Sequence, residues 1–222
     1  MRDTQSGFDI RPAVLTPDEA GRLLADLEAL SGRSRAGARH LMNHPAVAAI
    51  ARDPRLRSLA REALGSAAIP YRATLFDKSP ISNWLVAWHQ DTALPLKRRR
   101  DVPGWGPWSL KSGVLYANAP ASALQQVVAL RIHLDDSLQE NGPLRVLPGT
   151  HTLGVLPHRE LESIADRIEP HECTVPRGGV IAIWPLLVHA SSKSRMATPR
   201  RVLHIEYAPT LLMDGGLELD VA

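Results

Sequence analysis

A chain of 222 residues, 44% hydrophobic and 22% charged, can bury roughly 70% of its unfolded surface, which predicts a folded domain and excludes a disordered one. Its one cysteine, Cys173, excludes an internal disulfide and cysteine-rich metal sites, and no apolar run approaches the roughly eighteen residues of a membrane span. The balance of 26 basic against 23 acidic residues, a net charge of +3, is too slight to indicate a nucleic-acid partner. The N-terminus, MRDTQSGFDIRPAV, lacks the apolar stretch of a signal peptide, so a cytoplasmic protein is expected.

Thr16-Pro17-Asp18-Glu19 is a helix start with a capping box. Leu23, Leu24, Leu27 and Leu30 then recur at helical spacing up to Ser31-Gly32. A second short helix is expected after Pro45, and a third from Asp53-Pro54 to Gly65. From Tyr71 the texture changes to short apolar runs bounded by Gly, Pro, Asn and Asp. The predicted strands are 71–76, 85–89, 127–134, 144–147, 180–184 and 202–207, with a short helix over 159–167. Few of these strands are separated by long helices. That favours an antiparallel sandwich or barrel with an N-terminal helical layer over a parallel α/β sheet. Lys97-Arg98-Arg99-Arg100, followed by Gly104-Trp105-Gly106-Pro107, reads as a mobile loop near the mouth of a site.

The informative histidine is His89. In an extended segment, residues two apart face the same way, so His89 and Asp91 present an imidazole and a carboxylate together. With a third, distant histidine, such a pair makes the two-His, one-carboxylate face that suits non-haem Fe(II). His189, at the end of the apolar run Leu186-Leu187-Val188, reads either as that ligand or as a hydrogen-bonded core histidine. Arg200 and Arg201 open the strand over 202–207. A guanidinium directed into a barrel needs an anion, and a dicarboxylic co-substrate is a natural one.

His89-Gln90-Asp91, the turn Asn141-Gly142-Pro143-Leu144-Arg145-Val146-Leu147-Pro148-Gly149-Thr150-His151, and His189 with Ser191 and Arg200 together resemble the phytanoyl-CoA dioxygenase family, a branch of the Fe(II)/2-oxoglutarate-dependent oxygenases. The resemblance runs from about Tyr71 to Pro209. It implies a mainly β fold with N-terminal helices, the double-stranded β-helix or jelly-roll barrel shared with cupins. Residues 1–222 would form a single oxygenase domain, with a helical layer over 1–70 and the jelly-roll core over 71–209. It further implies His89, Asp91 and His189 as iron ligands, and Arg200 and Ser191 as contacts of 2-oxoglutarate. Trp108 and Lys78 are further co-substrate candidates. Arg131, His133 and Arg39 are candidates for contact with the substrate, while His151 is expected to brace its loop. The implied cofactors are Fe(II), 2-oxoglutarate as co-substrate, and O2. The implied reaction is hydroxylation of a small organic molecule with release of succinate and carbon dioxide, without nucleic-acid or membrane partners. A cupin-like metal enzyme that does not use 2-oxoglutarate, or a non-catalytic binding domain on the same fold, is the alternative. The chain is short for the family, and Thr150 stands where the family's turn usually has serine.

Overall fold

The computed structural model describes residues 5–30 and 37–222. After a first strand, β1 (Phe8–Arg11), Thr16 Oγ1 accepts from Glu19 N at 3.2 Å and Glu19 Oε2 accepts from Thr16 N at 2.7 Å. This capping box opens helix α1 (Pro17–Leu27). The two-residue strand β2 (Ala38–Arg39) leads to α2 (Pro45–Ala51) and α3 (Pro54–Leu64). Gly65, at a left-handed φ of 69°, ends α3.

Next come β3 (Ile69–Lys78), β4 (Val86–His89), β5 (Ala93–Leu96), β6 (Trp108–Lys111) and β7 (Val114–Asn118). The short helix α4 (Ala121–Leu124) precedes β8 (Val128–His133) and β9 (Leu144–Val146). Helix α5 (His158–Ala165) precedes β10 (His171–Cys173), β11 (Val180–Ile183), β12 (His189–Ser191) and β13 (Arg200–Ala208). A hairpin of β14 (Leu212–Met213) and β15 (Leu217–Glu218) follows. No helix among the described residues is long and apolar enough to cross a membrane.

Two antiparallel sheets carry the site, as the alternating short strands predict. The larger has the order β1-β11-β8-β13-β3-β2 and the smaller β10-β9-β12-β4. Their packing follows from the two-residue period of a strand. In β13, Leu203 and Ile205 join Ala73 and Leu75 of β3 and Leu130 and Ile132 of β8 against Leu27, Val47, Leu56 and Ala60 of the helices. Full burial of side chains such as Leu27, Leu56 and Leu75 contributes about 1.5–3 kcal/mol each. The opposite face of the large sheet meets the small sheet. At one end the filling is apolar, with Ile181, Ile183, Leu144 and Val146. At the other end the same face carries Arg72, Thr74, Lys78, Arg131, Arg200, His204 and Glu206.

The segment between β4 and β8 is not the loop that its sequence suggests. It forms a third antiparallel sheet, β5-β7-β6, closed by a two-residue turn in which Ser112 and Gly113 both take positive φ. Pro95 within β5 and the tight Ser-Gly turn break the run-length signal that marks longer strands. Lys97 to Arg100 also sit differently from a loop at the mouth. Lys97 pairs with Glu218, and Arg100 Nη1 donates to Gly216 O at 2.8 Å, which ties the cluster to the C-terminal hairpin.

Candidate metal centre and its two chambers

The pairing of β12 with β4 places His189 opposite His89, and the ring centroids lie 4.1 Å apart. Asp91 follows β4, held by its backbone N–H to Pro185 O at 2.9 Å. Its carboxylate oxygens lie 3.7 Å from His89 Nε2 and 3.5 Å from His189 Nε2, and one ligand atom from each of the three residues lies within 4.8 Å of the others. Both histidines use Nδ1 toward a backbone carbonyl, His89 to Ala87 O at 2.9 Å and His189 to Leu187 O at 2.8 Å. Nδ1 therefore carries the proton in each ring, and the Nε2 lone pairs face Asp91. This is the tautomer a metal requires. Burial and His89 push the His189 imidazole down to about 3, so it is neutral. Burial alone would raise the Asp91 carboxyl, but the positive charge around it, including Arg72, outweighs burial and holds it below the usual carboxylate range. Two imidazoles and one carboxylate are a donor set that fits Fe(II).

Two hydrogen-bonded braces hold this geometry. Gln90 points away from its neighbours, as the strand period requires. Its side chain donates to Leu186 O at 2.7 Å and Gly154 O at 2.8 Å and accepts from Leu156 N at 2.8 Å. Thr150 Oγ1 donates to Leu147 O at 2.8 Å and accepts from Val188 N at 2.9 Å, fixing the approach to His189. A serine could make the same two bonds, so threonine here is a conservative departure. His151 packs beside Trp184, ring centroids 6.2 Å apart, and against the backbone at Gly7.

Phe76, Trp84, Val86, His89 and Asp91 line two chambers that meet at this centre. The inner chamber, about 90 Å³, is otherwise lined by Lys78, Arg131, Leu144, His189, Ala190, Ser191 and Arg200. Lys78 Nζ donates to Ser191 Oγ at 2.6 Å and to Ser192 O, and Ser191 Oγ donates to Gly142 O at 2.9 Å. Arg200 Nε donates to Asn141 O at 3.2 Å, and its Nη2 reaches Ser191 Oγ at 3.4 Å. Asn141-Gly142 is thus a wall of the chamber. Gly142 sits at φ 66°, and a Cβ there would lie 2.2 Å from Ser192 O, so glycine is required. Arg201 turns the other way, with Nε and Nη2 on the two oxygens of Asp135 at 2.7 and 2.9 Å.

The inner chamber is electrostatically unbalanced. Cross-strand register sets Arg200 directly opposite Lys78, and Arg131 lies beside them on the same face. Like charges opposite one another destabilise a sheet, and all three residues are buried. The only carboxylate lining the chamber among the described residues is Asp91. Burial together with Arg200 and Arg131 pushes the Lys78 ammonium down to about 7, and burial with Arg131 pushes Arg200 down to about 10. The folded state therefore resists protonation of Lys78, a penalty complete below about pH 7 and relieved as pH rises toward the unfolded value of 10.5. Lys78→Met should accordingly raise the melting temperature of the ligand-free protein at pH 6, and the gain should shrink by pH 9. A gain that is flat with pH would mean that the charge is not its source.

Next to it lies a buried network. Arg131 Nη1 lies 3.2 Å from His204 Nδ1. A guanidinium only donates, so this nitrogen accepts and His204 Nε2–H donates to Glu206 Oε1 at 3.1 Å. Glu206 also accepts from Tyr71 Oη at 2.6 Å and from Arg72, which stands opposite it in the sheet. Burial would raise the Glu206 carboxyl, but Arg72, His204 and Tyr71 outweigh it and keep it below its ordinary range. Glu206→Gln would leave the half-buried Arg72 without a counter-charge. It is expected to cost about 2–3 kcal/mol in denaturant unfolding, although Glu206 touches neither chamber.

The outer chamber, about 430 Å³, is lined beyond the shared residues by Arg39, Arg72, Thr74, Gln90, Thr92, Ala93, Lys111, Tyr116, Asn118 and His204. Of the sequence candidates, Lys78, Arg131, Ser191 and Arg200 meet in the inner chamber and Arg39 in the outer one. Two lie elsewhere. Trp108 lines neither chamber: it stands on β6, packed against the second core cluster with Arg99 over its ring at 5.8 Å. The tryptophan at the centre is Trp84, on the approach to β4. His133 is fully buried behind the lining, and neither ring nitrogen has a hydrogen-bond partner among the described residues. Burial with Arg131 and Arg200 holds it neutral. Arg72, Trp84, Lys111, Tyr116 and His204 carry no motif. Only the alternation along β3 and β13 could have signalled Arg72 and His204.

Comparison with known proteins agrees with this arrangement. L-proline trans-4-hydroxylase of Streptomyces griseoviridis is 28% identical over 186 residues, 72% of this chain and 62% of that protein, so the chain spans less than two thirds of that relative. Among solved structures, AviO1 from Streptomyces viridochromogenes Tue57 superposes with a TM-score of 0.66 at 24% identity, covering 92% of this chain and 90% of that one. The non-heme α-ketoglutarate-dependent carbocyclase SnoK from nogalamycin biosynthesis gives 0.71 at 17% identity (92% and 80%), and EctD from S. alaskensis with 2-oxoglutarate and 5-hydroxyectoine gives 0.67 at 19% (92% and 72%). These likenesses establish the cupin-like double-stranded β-helix. The family model described as Phytanoyl-CoA dioxygenase (PhyH) matches residues 5–202, nearly the whole chain, and the protein belongs to that family.

Proposed function

We propose that this protein is a non-haem Fe(II)/2-oxoglutarate-dependent oxygenase that hydroxylates a small organic substrate and releases succinate and carbon dioxide. One observation carries the reading: three buried cations crowd a small chamber that opens onto a two-histidine, one-carboxylate centre. A dianion of the length of 2-oxoglutarate relieves that crowding, and one of its ends then lies at the centre. His89, Asp91 and His189 would hold the iron. Arg200 and Ser191, backed by Lys78 and the Asn141-Gly142 wall, would hold the far carboxylate. Bound iron, with 2-oxoglutarate and dioxygen, supplies the oxidising chemistry. The chain's own part is to orient the two reactants at one point, to hold both imidazoles in the ligating tautomer, and to keep the inner chamber closed to bulk water. The presence of Asp91 as a carboxylate ligand supports hydroxylation as the outcome.

A cupin-like enzyme without 2-oxoglutarate would have no use for Arg200 opposite Lys78. A non-catalytic domain would have no use for the ligating tautomers. The deciding experiment is anaerobic titration of the purified protein with Fe(II) and then 2-oxoglutarate, followed by admission of air. One equivalent of each is expected to bind, with succinate formed in air. Metal binding without uptake of 2-oxoglutarate would transfer the protein to the cupin-like class.

A further inference from the structure

The outer chamber has a second, separate excess of positive charge. Tyr116 is its centrepiece: its ring lies 5.6 Å from the Arg72 guanidinium and 5.0 Å from Lys111 Nζ, and its hydroxyl is 2.8 Å from His40 Nε2. Arg39, on β2, lines the same wall. Arg72 is already neutralised by Glu206, which leaves Arg39 and Lys111. Among the described residues neither has a carboxylate within ion-pair distance, and the sole carboxylate lining this chamber is Asp91, at the candidate metal centre. Arg39 and Arg72 lower the Lys111 ammonium after burial does, so the cations face a common space. Phe76, Trp84 and Val86 line the chamber near the metal centre.

From this division we infer that the prime substrate is an anion, a carboxylate or phosphate attached to a compact apolar body. Arg39 and Lys111 grip the anionic group, and the apolar body lies along Phe76, Trp84 and Val86 with its reacting C–H at the metal centre. A zwitterion suits the chamber less well, since no carboxylate remains there for an ammonium. The inference rests on the proposed oxygenase reading, because it takes the inner chamber to be filled by 2-oxoglutarate.

The test uses the protein loaded with Zn(II) and 2-oxoglutarate, with backbone amide resonances followed while inorganic phosphate or acetate is added. Either anion is expected to shift the resonances of Tyr116, Asn118 and Thr92 saturably. The double variant Arg39→Gln/Lys111→Gln should weaken that response by about tenfold or more, as loss of charge-assisted hydrogen bonds does. The stronger of the two anions identifies the head group as phosphate or carboxylate. No saturable response in the parent protein, or an equal response in the double variant, would overturn the inference. If 2-oxoglutarate itself fails to bind at the loading step, it is the oxygenase reading that falls.

Discussion

Arg200→Ala is expected to weaken 2-oxoglutarate binding by roughly 30-fold to several thousand-fold, and Arg201→Ala by less than about threefold. The contrast comes from the strand period: Arg200 is buried in the inner chamber, while Arg201 is spent on Asp135 on the other side of the sheet. Removing one partner of a desolvated charge pair costs about 2–5 kcal/mol, and about 1.4 kcal/mol is a factor of ten. Arg200→Lys should recover part of the loss, because an ammonium cannot make the two-pronged contact of a guanidinium. Arg200→Ala also relieves the repulsion with Lys78 and Arg131. The melting temperature of the ligand-free Arg200→Ala protein should therefore hold or rise while its affinity collapses, a combination that a misfolded variant cannot give. Affinity by calorimetry and thermal melts together check this. A loss confined to Arg201→Ala would place the wrong arginine in the chamber.

His189→Ala is expected to remove stoichiometric Fe(II) binding, lowering metal affinity by more than the roughly 10–100-fold typical of losing a supporting residue around a metal. The visible absorption band that accompanies joint binding of Fe(II) and 2-oxoglutarate should vanish with it. His133→Gln is the matched control. This histidine is equally buried, on β8 of the large sheet, but its nitrogens do not converge with Asp91. One equivalent of metal should still bind to it. Metal retained by His189→Ala and lost by His133→Gln would move the third ligand from β12 to β8.

The candidate metal centre was legible because its three residues obey local rules. His89 and Asp91 are two apart in an extended segment, and His189 closes the apolar run Leu186-Leu187-Val188, which the structure buries as a turn leading into β12. The long strands β3, β8 and β13 were legible for the same reason, although β3 and β13 extend beyond their apolar centres, since register continues through Lys78 and Arg200. The three-stranded sheet over 93–118 was not, because its strands are four or five residues long, interrupted by Pro95, and stabilised by one another rather than by pattern. Its loss from the reading cost the outer chamber: Lys111, Tyr116 and Asn118 stand on exactly these strands. Trp108 is a co-substrate candidate only through the family resemblance. A tryptophan's place in a pocket depends instead on which side of its strand faces inward, and β6 turns Trp108 toward the second core cluster.

The Asn141-Gly142 turn gives the two chambers different histories. On that side the inner one is closed by main-chain carbonyls, and no substitution can alter the chemistry of a carbonyl oxygen. The glycine that presents one of them admits no side chain. The outer chamber is walled instead by side chains, and Arg39, Lys111 and Asn118 among them do not line the inner one. On the proposed oxygenase reading, drift in this sequence can re-tailor the substrate while the co-substrate socket stays as it is. A collection of variants at those three positions is the natural place to look for new substrate preferences that keep the same dependence on 2-oxoglutarate.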